Sequence, residues 1–260
     1  VSLWSFALCH SLDCMEPAPT VLPSGPFRGR FAVRIRRSSF YFAVAASLDE
    51  VREIAVEAES CQDISAVRFW TATESVCTSL EAAGAQELSI LLCECPRSMG
   101  GQSRNCEVRA LTDQDFSAWQ ESFLWFQQDQ FGKLGLDIPK LDNNDLARLF
   151  EDVLQDGPAL CVSEGDRLLG VAHASVRPDG SCYLSEIWVI PTAQRRGIGE
   201  ALLQAAVAAV EQLCCSQLRL CCIASNLGAR SFYEAMDVKI LPHRGFLISL
   251  LDLNRLCTAV

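Results

Sequence analysis

The stretch that decides the fold, residues 182–203, reads CYLSEIWVIPTAQRRGIGEALL. An alternating apolar run over 183–190 predicts a β-strand that ends at Pro191, and an apolar-rich helix follows after a short polar turn. The turn contains two arginines and two glycines: Arg195, Arg196, Gly197 and Gly199. The first N–H groups of a helix have no partner within the helix, and the helix dipole places partial positive charge there. The stretch therefore predicts an anion site of pyrophosphate size.

The composition excludes several classes of protein. Of the 260 residues, 50% are apolar and 21% are charged, as is typical of a globular protein. No apolar run reaches the roughly 18 residues of a transmembrane helix, so no membrane association is predicted. The net charge of −10 argues against general binding of nucleic acids or acidic membranes, and it favours a cationic partner.

The cysteine pattern argues against a metal site. The chain has 14 cysteines but no Cys-x-x-Cys pair, and its three histidines are far apart in the sequence. We therefore predict no metal site and interpret the cysteines as reduced, small apolar side chains. Reduced thiols are typical of a cytoplasmic protein.

The sequence divides into three parts. Residues 1–26 end in a proline-rich run, lack the basic leader of a signal peptide, and are predicted to form a disordered or linker-like N terminus. Residues 27–98 alternate strand and helix patterns and predict a small α/β domain. A loop-like composition over 96–105 marks the predicted boundary, and residues 106–260 predict a larger domain.

Residues 106–260 predict a mixed α/β fold with one central sheet flanked by helices. The expected order is a short strand, two helices, three strands, a helix over 199–213, a strand over 218–224, a helix and a strand pair over 240–251. A strand–helix–strand crossover implies that the strands around the helix over 199–213 are parallel. The first long helix carries an aromatic stripe that we interpret as core: Trp119, Phe123, Phe126 and Phe131.

Three kinds of phosphate loop compete for the turn. A nucleotide P-loop needs a lysine after its last glycine and a dinucleotide loop needs a third glycine, but residues 194–199 read QRRGIG and have neither. This segment matches the pattern Gln/Arg-x-x-Gly-x-Gly/Ala. The preceding strand ends IWVIP at 187–191, and the later segment 226–236 reads NLGARSFYEAM. Loop, strand and helix in this order resemble the GNAT (Gcn5-related) N-acetyltransferase superfamily over about 106–251.

The resemblance implies a GNAT-like sheet that binds acetyl-CoA between two splayed parallel strands. The pyrophosphate is expected on the N–H groups of 195–200, and the pantetheine arm along the backbone of 188–190. The implied contact residues are Trp188, Val189, Ile190, Gln194, Arg195, Arg196, Gly197, Ile198, Gly199, Glu200 and Asn226.

The resemblance also implies two catalytic residues. Tyr233 occupies the family's position for the general acid that protonates the departing thiolate, although a packed aromatic residue is the alternative. Glu186 is the candidate general base, and period-2 geometry places its side chain on one face with Leu184 and Trp188. A carboxylate that only attracts a cationic substrate is an equally supported interpretation of Glu186.

The acceptor is expected to be a primary amine. Residues 106–260 contain 20 acidic and 13 basic residues, a net charge of −7, which favours a small cationic amine. Four aspartates fall in the segment that flanks the family's acceptor cleft: Asp129, Asp137, Asp142 and Asp145. A protein lysine or N-terminal amine as acceptor, a non-catalytic CoA-binding regulatory module, and a homodimer are left open.

The chain departs from the family pattern in two places. Residues 236–239 read MDVK, where family members usually have Gly-Phe after the Phe-Tyr pair. Residues 27–98 faintly resemble a strand–helix–strand half of the same fold, but they lack the phosphate loop. They therefore predict a degenerate GNAT-like half that does not bind CoA.

Overall fold

The structure, a computed structural model, describes residues 31–35, 38–60, 64–99, 106–134, 141–176, 182–213, 215 and 217–258. The predicted N-terminal linker over 1–26 and Asp137 lie outside the described residues. The strands are β1 (Phe31–Ile35), β2 (Ser38–Val44), β3 (Ile64–Thr71), β4 (Gln86–Leu88), β5 (Ile90–Glu94), β6 (Arg109–Ala110), β7 (Ala159–Glu164), β8 (Arg167–Val176), β9 (Cys182–Val189), β10 (Leu218–Ile223), β11 (Lys239–Ile240) and β12 (Arg244–Ser249). The α-helices are α1 (Leu48–Ser60), α2 (Glu74–Ala82), α3 (Phe116–Leu134), α4 (Asn143–Gln155), α5 (Ile198–Gln212), α6 (Leu227–Ala235) and α7 (Leu250–Thr258).

The described chain forms two compact units. The first unit contains the described residues up to Leu92 and those from Ile240 onward, and the second unit contains the described residues of 93–239. This division differs from the predicted single boundary over 96–105, because the chain leaves the first unit at 92 and returns to it at 240.

The first unit is built on a sheet with the order β1-β2-β3-β12-β4. β2 and β3 are parallel, and β12 runs antiparallel to both of its neighbours, β3 and β4. Its core includes Ile54, Phe69, Leu80, Phe246 and Leu253, which are essentially fully buried. The last two of these residues come from the C-terminal end of the chain, so this core requires residues from both ends of the described sequence.

The second unit is built on a sheet with the order β11-β5-β10-β9-β8-β7-β6. The predicted mixed α/β fold with a helix-flanked central sheet is confirmed. β9 and β10 are parallel, as the crossover through α5 predicts. β6 to β9 form an antiparallel meander at the other side of β9.

For two strands, β5 and β12, the local sequence does not indicate which sheet the strand joins. β4 and β5 are separated only by Ser89, yet β4 lies in the first sheet and β5 in the second. β12, which follows β11 closely in the chain, pairs with β3 and β4 rather than with the second sheet. The segment 240–251, predicted as the last strands of the second unit, therefore contributes its main strand to the first unit, and α7 begins within it at Leu250.

The helices of the second unit bury the faces that their patterns predict. Trp119 and Phe123 of α3 are fully buried and stack with ring centroids 4.4 Å apart. In α5 the apolar face that packs on the sheet is buried, including Leu202, Leu203, Ala206 and Val210. Leu213, which the same pattern places inward, follows the last residue of α5 and is 49% exposed.

Candidate active site

The turn after β9 has the backbone shape of an anion-binding loop. Arg195 and Gly197 have positive φ angles of 63° and 81°, so the chain reverses tightly before α5 begins. The side-chain amide Nε2 of Gln194 donates a hydrogen bond of 3.1 Å to the carbonyl O of Val189, which fixes the loop to the end of β9. Alternating backbone conformations of this kind turn successive N–H groups toward one side, where they form a concave anion site.

The N terminus of α5 opens onto this loop. Gly197 is the N-cap and offers no side-chain acceptor, so the first-turn N–H groups remain available to a ligand. Gly199 lies close to α6, since a Cβ atom placed on it would be 3.5 Å from the Phe232 ring. The side chains of Arg195 and Arg196 are exposed beside the loop, and Nη1 of Arg196 lies 3.9 Å from Oε2 of Glu164. The loop thus combines oriented N–H groups with the positive charge of two exposed arginine side chains.

β9 and β10 pair only at one end. Their register covers Cys182–Leu184 against Leu218–Leu220, while the described residues 185–189 of β9 have no partner in β10. On the other side, β8 pairs with β9 along its length, with an extra β9 residue at Ser185. The parallel strands therefore separate at a β-bulge, and β9 presents an open backbone edge that runs into the loop.

The direction of individual N–H groups follows from one hydrogen bond. The N–H of Ile190 donates to the carbonyl O of Leu169 at 2.9 Å, so it points toward β8. Because successive backbone groups of a strand alternate in direction, the N–H groups of Val189 and Ile187 point to the open edge. The backbone of 188–190 was predicted to contact pantetheine. The backbone groups of Trp188 and the N–H of Ile190 instead face β8. The alternation adds Ile187 to the candidate contacts.

The bulge also decides where Glu186 points. Leu184 lies opposite Ala174 and Glu186 lies opposite His173, and the adjacent residues Ala174 and His173 face opposite sides of the sheet. The prediction that Glu186 shares a face with Leu184 is therefore wrong, because the extra residue at Ser185 shifts the side-chain alternation. Trp188 does share the face of Glu186, and its ring lies 6.3 Å from the Phe126 ring of α3.

Glu186 is a buried carboxyl group. Its exposed fraction is 4%, and its Oε2 has no hydrogen-bond partner among the described residues. Burial raises its pKa to about 7, and the nearby Trp188 side chain opposes the shift weakly. A carboxyl group with a pKa near neutrality can both take and release a proton at physiological pH.

Tyr233 lies on α6 and is 7% exposed. Burial raises the pKa of its phenol well above the usual value, and the thiols of Cys222 and Cys95 add to the shift. The phenol is therefore protonated at neutral pH and can act as a donor. α6 itself begins at Asn226, whose side-chain oxygen accepts a 3.2 Å hydrogen bond from the N–H of Ala229. Asn226 is thus the N-cap of α6.

Comparison with known families decides the identity of this part of the chain. The model of the acetyltransferase (GNAT) family matches residues 110–237. Residues 110–237 form a GNAT acetyltransferase domain. The open β9 edge, the loop with two positive φ angles and the N terminus of α5 lie together within this domain. No curated protein sequence matches the chain.

Solved structures support the GNAT fold over more than the matched residues. A GCN5-related N-acetyltransferase from Sphaerobacter thermophilus is similar with a TM-score of 0.52 at 12% identity, covering 85% of this chain and 76% of its own. A Drosophila protein is similar with a TM-score of 0.53 at 14% identity, covering 84% and 72% respectively. At these identities the likeness concerns the fold, and it extends into residues outside 110–237.

Two aspartates predicted to border the acceptor cleft of the GNAT domain have another role. Asp142 is the N-cap of α4, and its side chain accepts hydrogen bonds from the N–H groups of Asn144 and Asp145. Asp145 completes the capping box by accepting from the N–H of Asp142 at 3.1 Å. Both carboxylates are therefore engaged in starting a helix. Asp129 is half-buried on α3.

Other carboxylates surround a groove beside the GNAT loop. The groove has a volume of about 910 Å³ and lies between the first half of α3, the β7–β8 turn and residues 190–192. Three acidic residues and one basic residue are among its lining: Glu121, Glu164, Asp166 and Arg167. An acidic groove of this kind suits a cation better than the phosphates of CoA.

Three features of the candidate site were not predicted from the sequence. His173 is fully buried directly opposite Glu186, and Gln127 of α3 is 1% exposed. The bulge at Ser185 is the third, and no local pattern signals it. His173 had one available signal, since it is a polar residue inside an apolar segment, whereas Gln127 begins the polar run QQDQ and offers no such signal.

The described residues show no membrane-spanning helix and no metal cluster. None of their helices is long and apolar enough to cross a membrane. In the same part of the chain, no group of three or more histidine, cysteine, aspartate or glutamate side chains is placed to hold a metal ion. The ten cysteines within the described ranges are free thiols.

Proposed function

We propose that this GNAT domain transfers an acetyl group from acetyl-CoA to a small cationic primary amine. The observation that carries the proposal is the open edge of β9, which leads from the buried Glu186 to the loop at the N terminus of α5. A ligand with amide groups and a pyrophosphate fits such an edge and loop. Acetyl-CoA supplies an activated thioester.

The loop and the strand would hold the cofactor. The first-turn N–H groups of α5 and the side chains of Arg195 and Arg196 would bind the pyrophosphate. The N–H groups of Ile187 and Val189 would hydrogen-bond to the pantetheine arm or to the thioester oxygen. The N–H of Val189 is our candidate for stabilising charge that develops on that oxygen.

Glu186 would serve as the general base. An alkylammonium has a pKa of about 10, so it must lose a proton before its nitrogen can attack. Glu186 takes that proton, directly or through a water molecule, and its pKa of about 7 leaves enough of it ionised at neutral pH. Attack of the nitrogen on the acetyl carbon forms the carbon–nitrogen bond, and the carbon–sulfur bond then breaks. The nitrogen loses its second proton in this step, and that proton replaces the one that Tyr233 gives to the thiolate.

Tyr233 would serve as the general acid. Its phenol is buried and protonated at neutral pH, and it donates a proton to the departing thiolate. The family position of Tyr233 in α6 supports this role.

The acidic groove supports a cationic acceptor. Glu121, Glu164 and Asp166 line it and would attract a positively charged amine toward α3. Glu186 is 4% exposed, so the proposal favours a slender group, such as an amine on an unbranched chain, as the acceptor. A polyamine and a lysine side chain both meet this requirement, so the experiment must include both.

An acceptor panel tests the proposal. Release of free CoA thiol would be followed with spermidine, kanamycin and a lysine-containing peptide, with an amine-free reaction as control. We expect amine-dependent release with at least one small amine, and mass spectrometry should find that amine heavier by one acetyl group. Turnover of the peptide alone would instead identify a protein acetyltransferase. Tight acetyl-CoA binding by calorimetry without any turnover would overturn the enzymatic proposal in favour of a regulatory module.

A further inference from the structure

The buried polar side chains of the second unit lie at one place. Among the described residues of this unit, four polar side chains are buried: Gln127, His173, Ser175 and Glu186. His173 and Ser175 alternate on β8 and therefore share a face, and Glu186 lies directly opposite His173. The hydroxyls of Ser175 and Ser185 are 2.9 Å apart, which places Ser185 on this face too. The sheet thus carries a polar patch inside an otherwise apolar layer.

Helix α3 covers this patch. Phe126 of α3 packs against Trp188, two residues beyond Glu186 on the same face of β9. Gln127 directly follows Phe126 in α3. Trp119, Phe123 and Gln127 are spaced four residues apart, so they lie on one face of the helix. Since Trp119 and Phe123 are fully buried, Gln127 continues the buried stripe of the helix toward the sheet.

The side-chain amide of Gln127 is buried and unpaired among the described residues. It is 1% exposed, and neither Oε1 nor Nε2 has a hydrogen-bond partner among the described residues. Oε2 of Glu186 also has no hydrogen-bond partner among the described residues. Leaving such a buried polar group without a partner is unfavourable, so these groups are expected to meet a ligand or an ordered water.

We propose that the Gln127 side-chain amide binds the acceptor next to Glu186 and thereby determines acceptor specificity. Oε1 of Gln127 accepts a hydrogen bond from the acceptor's ammonium or amine group, while Glu186 takes the proton that the reaction removes. Gln127 is thus a substrate-binding residue outside the cofactor loop. This inference rests on the proposed acetyltransferase function and narrows it to acceptors whose amine enters the space between α3 and the β8–β9 face.

Three variants test the role of Gln127. Gln127→Met keeps the approximate shape of the side chain but removes its amide. Gln127→Asn keeps an amide on a side chain that is shorter by one methylene group. Gln128→Leu changes the exposed neighbouring residue and serves as the control. Kinetics use the panel amine that the wild-type protein acetylates fastest. Thermal unfolding of each variant is measured in parallel.

We expect Gln127→Met to raise KM for the amine at least tenfold, because a hydrogen bond to a charged group is lost. KM for acetyl-CoA should stay within twofold, and Tm should be unchanged or higher, since a buried amide that has no partner among the described residues is removed. Gln127→Asn should give an intermediate KM. Gln128→Leu should match the wild-type protein in all three quantities.

Other outcomes would overturn the inference. An unchanged KM for the amine with a higher Tm would show that Gln127 is only a strained core residue. An unchanged KM with a lower Tm would show that it belongs to a structural water network. If Gln127→Met does not fold, an unchanged KM in Gln127→Asn contradicts the role by itself. Absence of turnover in the wild-type protein would count against the proposed function, whereas normal turnover in the variants counts against Gln127 alone.

Discussion

At the scale of single residues, Glu186 shows how one inserted residue places a functional group. Ser185 is an extra residue in β9 relative to β8, and it turns Glu186 to the face of His173. The carboxyl group is buried on that face, and burial raises its pKa to about 7. The pairing of β9 with β10 ends at Leu184, directly before the bulge. The open edge and the buried carboxyl group therefore both begin at one strand irregularity.

Replacing Glu186 by Gln should change how stability depends on pH. The folded protein holds the Glu186 proton up to about pH 7, whereas an ordinary carboxyl group loses it near 4.5. The stabilising contribution of the protonated form is complete below pH 4.5, falls as pH rises toward 7, and is absent above 7. We expect the variant to gain stability over the wild-type protein across this window, by about 3 kcal/mol at most. Urea unfolding at several pH values from 4.5 to 8 measures the difference.

The same variant should alter the pH–rate profile. In the wild-type protein, kcat/KM should rise with pH through about 7 as Glu186 ionises, and this limb should be missing in Glu186→Gln. Parallel stability curves for the two proteins would contradict the raised pKa. A retained limb in the rate profile would instead remove Glu186 from the role of base.

Replacing Tyr233 by Phe should separate catalysis from binding. The aromatic ring still fills its buried position, but the phenolic proton donor is lost. We expect kcat to fall roughly 100-fold or more, as is typical of a lost general acid, while the Kd for acetyl-CoA stays within twofold. Tyr183→Phe, on β9, is the matched control and should keep wild-type kcat. Unchanged turnover in Tyr233→Phe would assign the phenol a packing role only.

At the scale of elements, the junction of β9, the loop and α5 is the proposed cofactor site. The loop is held at one end by the hydrogen bond from Gln194 to Val189 and at the other by the buried Ile198. Rigid elements on both sides keep the first-turn N–H groups in place before any ligand arrives. Such preorganised donors bind an anion without a further cost of ordering.

Replacing Gly199 by Glu should abolish cofactor binding without unfolding the protein. A Cβ atom at Gly199 makes only an ordinary contact of 3.5 Å with the Phe232 ring, so the fold is retained. The added carboxylate places negative charge at the helix N terminus, where it repels the pyrophosphate. We expect acetyl-CoA affinity to fall at least tenfold in calorimetry, with Tm close to the wild-type value.

Gly132→Glu is the control for this prediction. Gly132 lies in α3, is exposed and has open space around it, so the same chemical change should leave acetyl-CoA binding intact. Tight binding of acetyl-CoA to Gly199→Glu would show that the pyrophosphate lies elsewhere. Loss of binding in both variants would point to a general charge effect.

At the scale of the whole molecule, each sheet depends on a strand from a distant part of the sequence. β12 lies between β3 and β4 in the first unit, and β5 lies between β10 and β11 in the second. The N–H of Cys95, just after β5, donates to the carbonyl O of Leu218 in β10 at 2.9 Å. An interior strand cannot be removed without exposing the backbone edges of both neighbours.

Two fragments should therefore behave differently. Fragment 89–241 contains β5 to β11 and should fold and bind acetyl-CoA, because it includes every strand of the second sheet. Fragment 106–260 follows the boundary that the sequence suggests, but it lacks β5 and carries β12 without β3 and β4. We expect it to aggregate or to unfold without a cooperative transition. Circular dichroism and calorimetry distinguish the two, and cooperative folding of 106–260 with failure of 89–241 would contradict the strand assignment.

Local patterns predicted most elements and the cofactor loop. Period-2 and helical periodicities report which face of an element is buried, and they placed β9, α5, β10 and α6 within one or two residues of their bounds. The GNAT loop over 194–199 was predictable because its glycines and arginines are adjacent in the chain. Tyr233 and Asn226 were predictable because they lie on one short helix segment. The catalytic roles of Glu186 and Tyr233 remain predictions.

The sequence by itself determined the loop, its strand and its helix, since these depend on interactions between residues close in the chain. Tertiary structure decided the rest: the sheet that each of β5 and β12 joins, the face that Glu186 occupies, and the burial of the Gln127 side chain. The physical reason is that strand pairing is made between residues far apart in sequence, and a one-residue change of register moves every following side chain to the other face. No local pattern around 182–203 contains that register, although the whole candidate site depends on it.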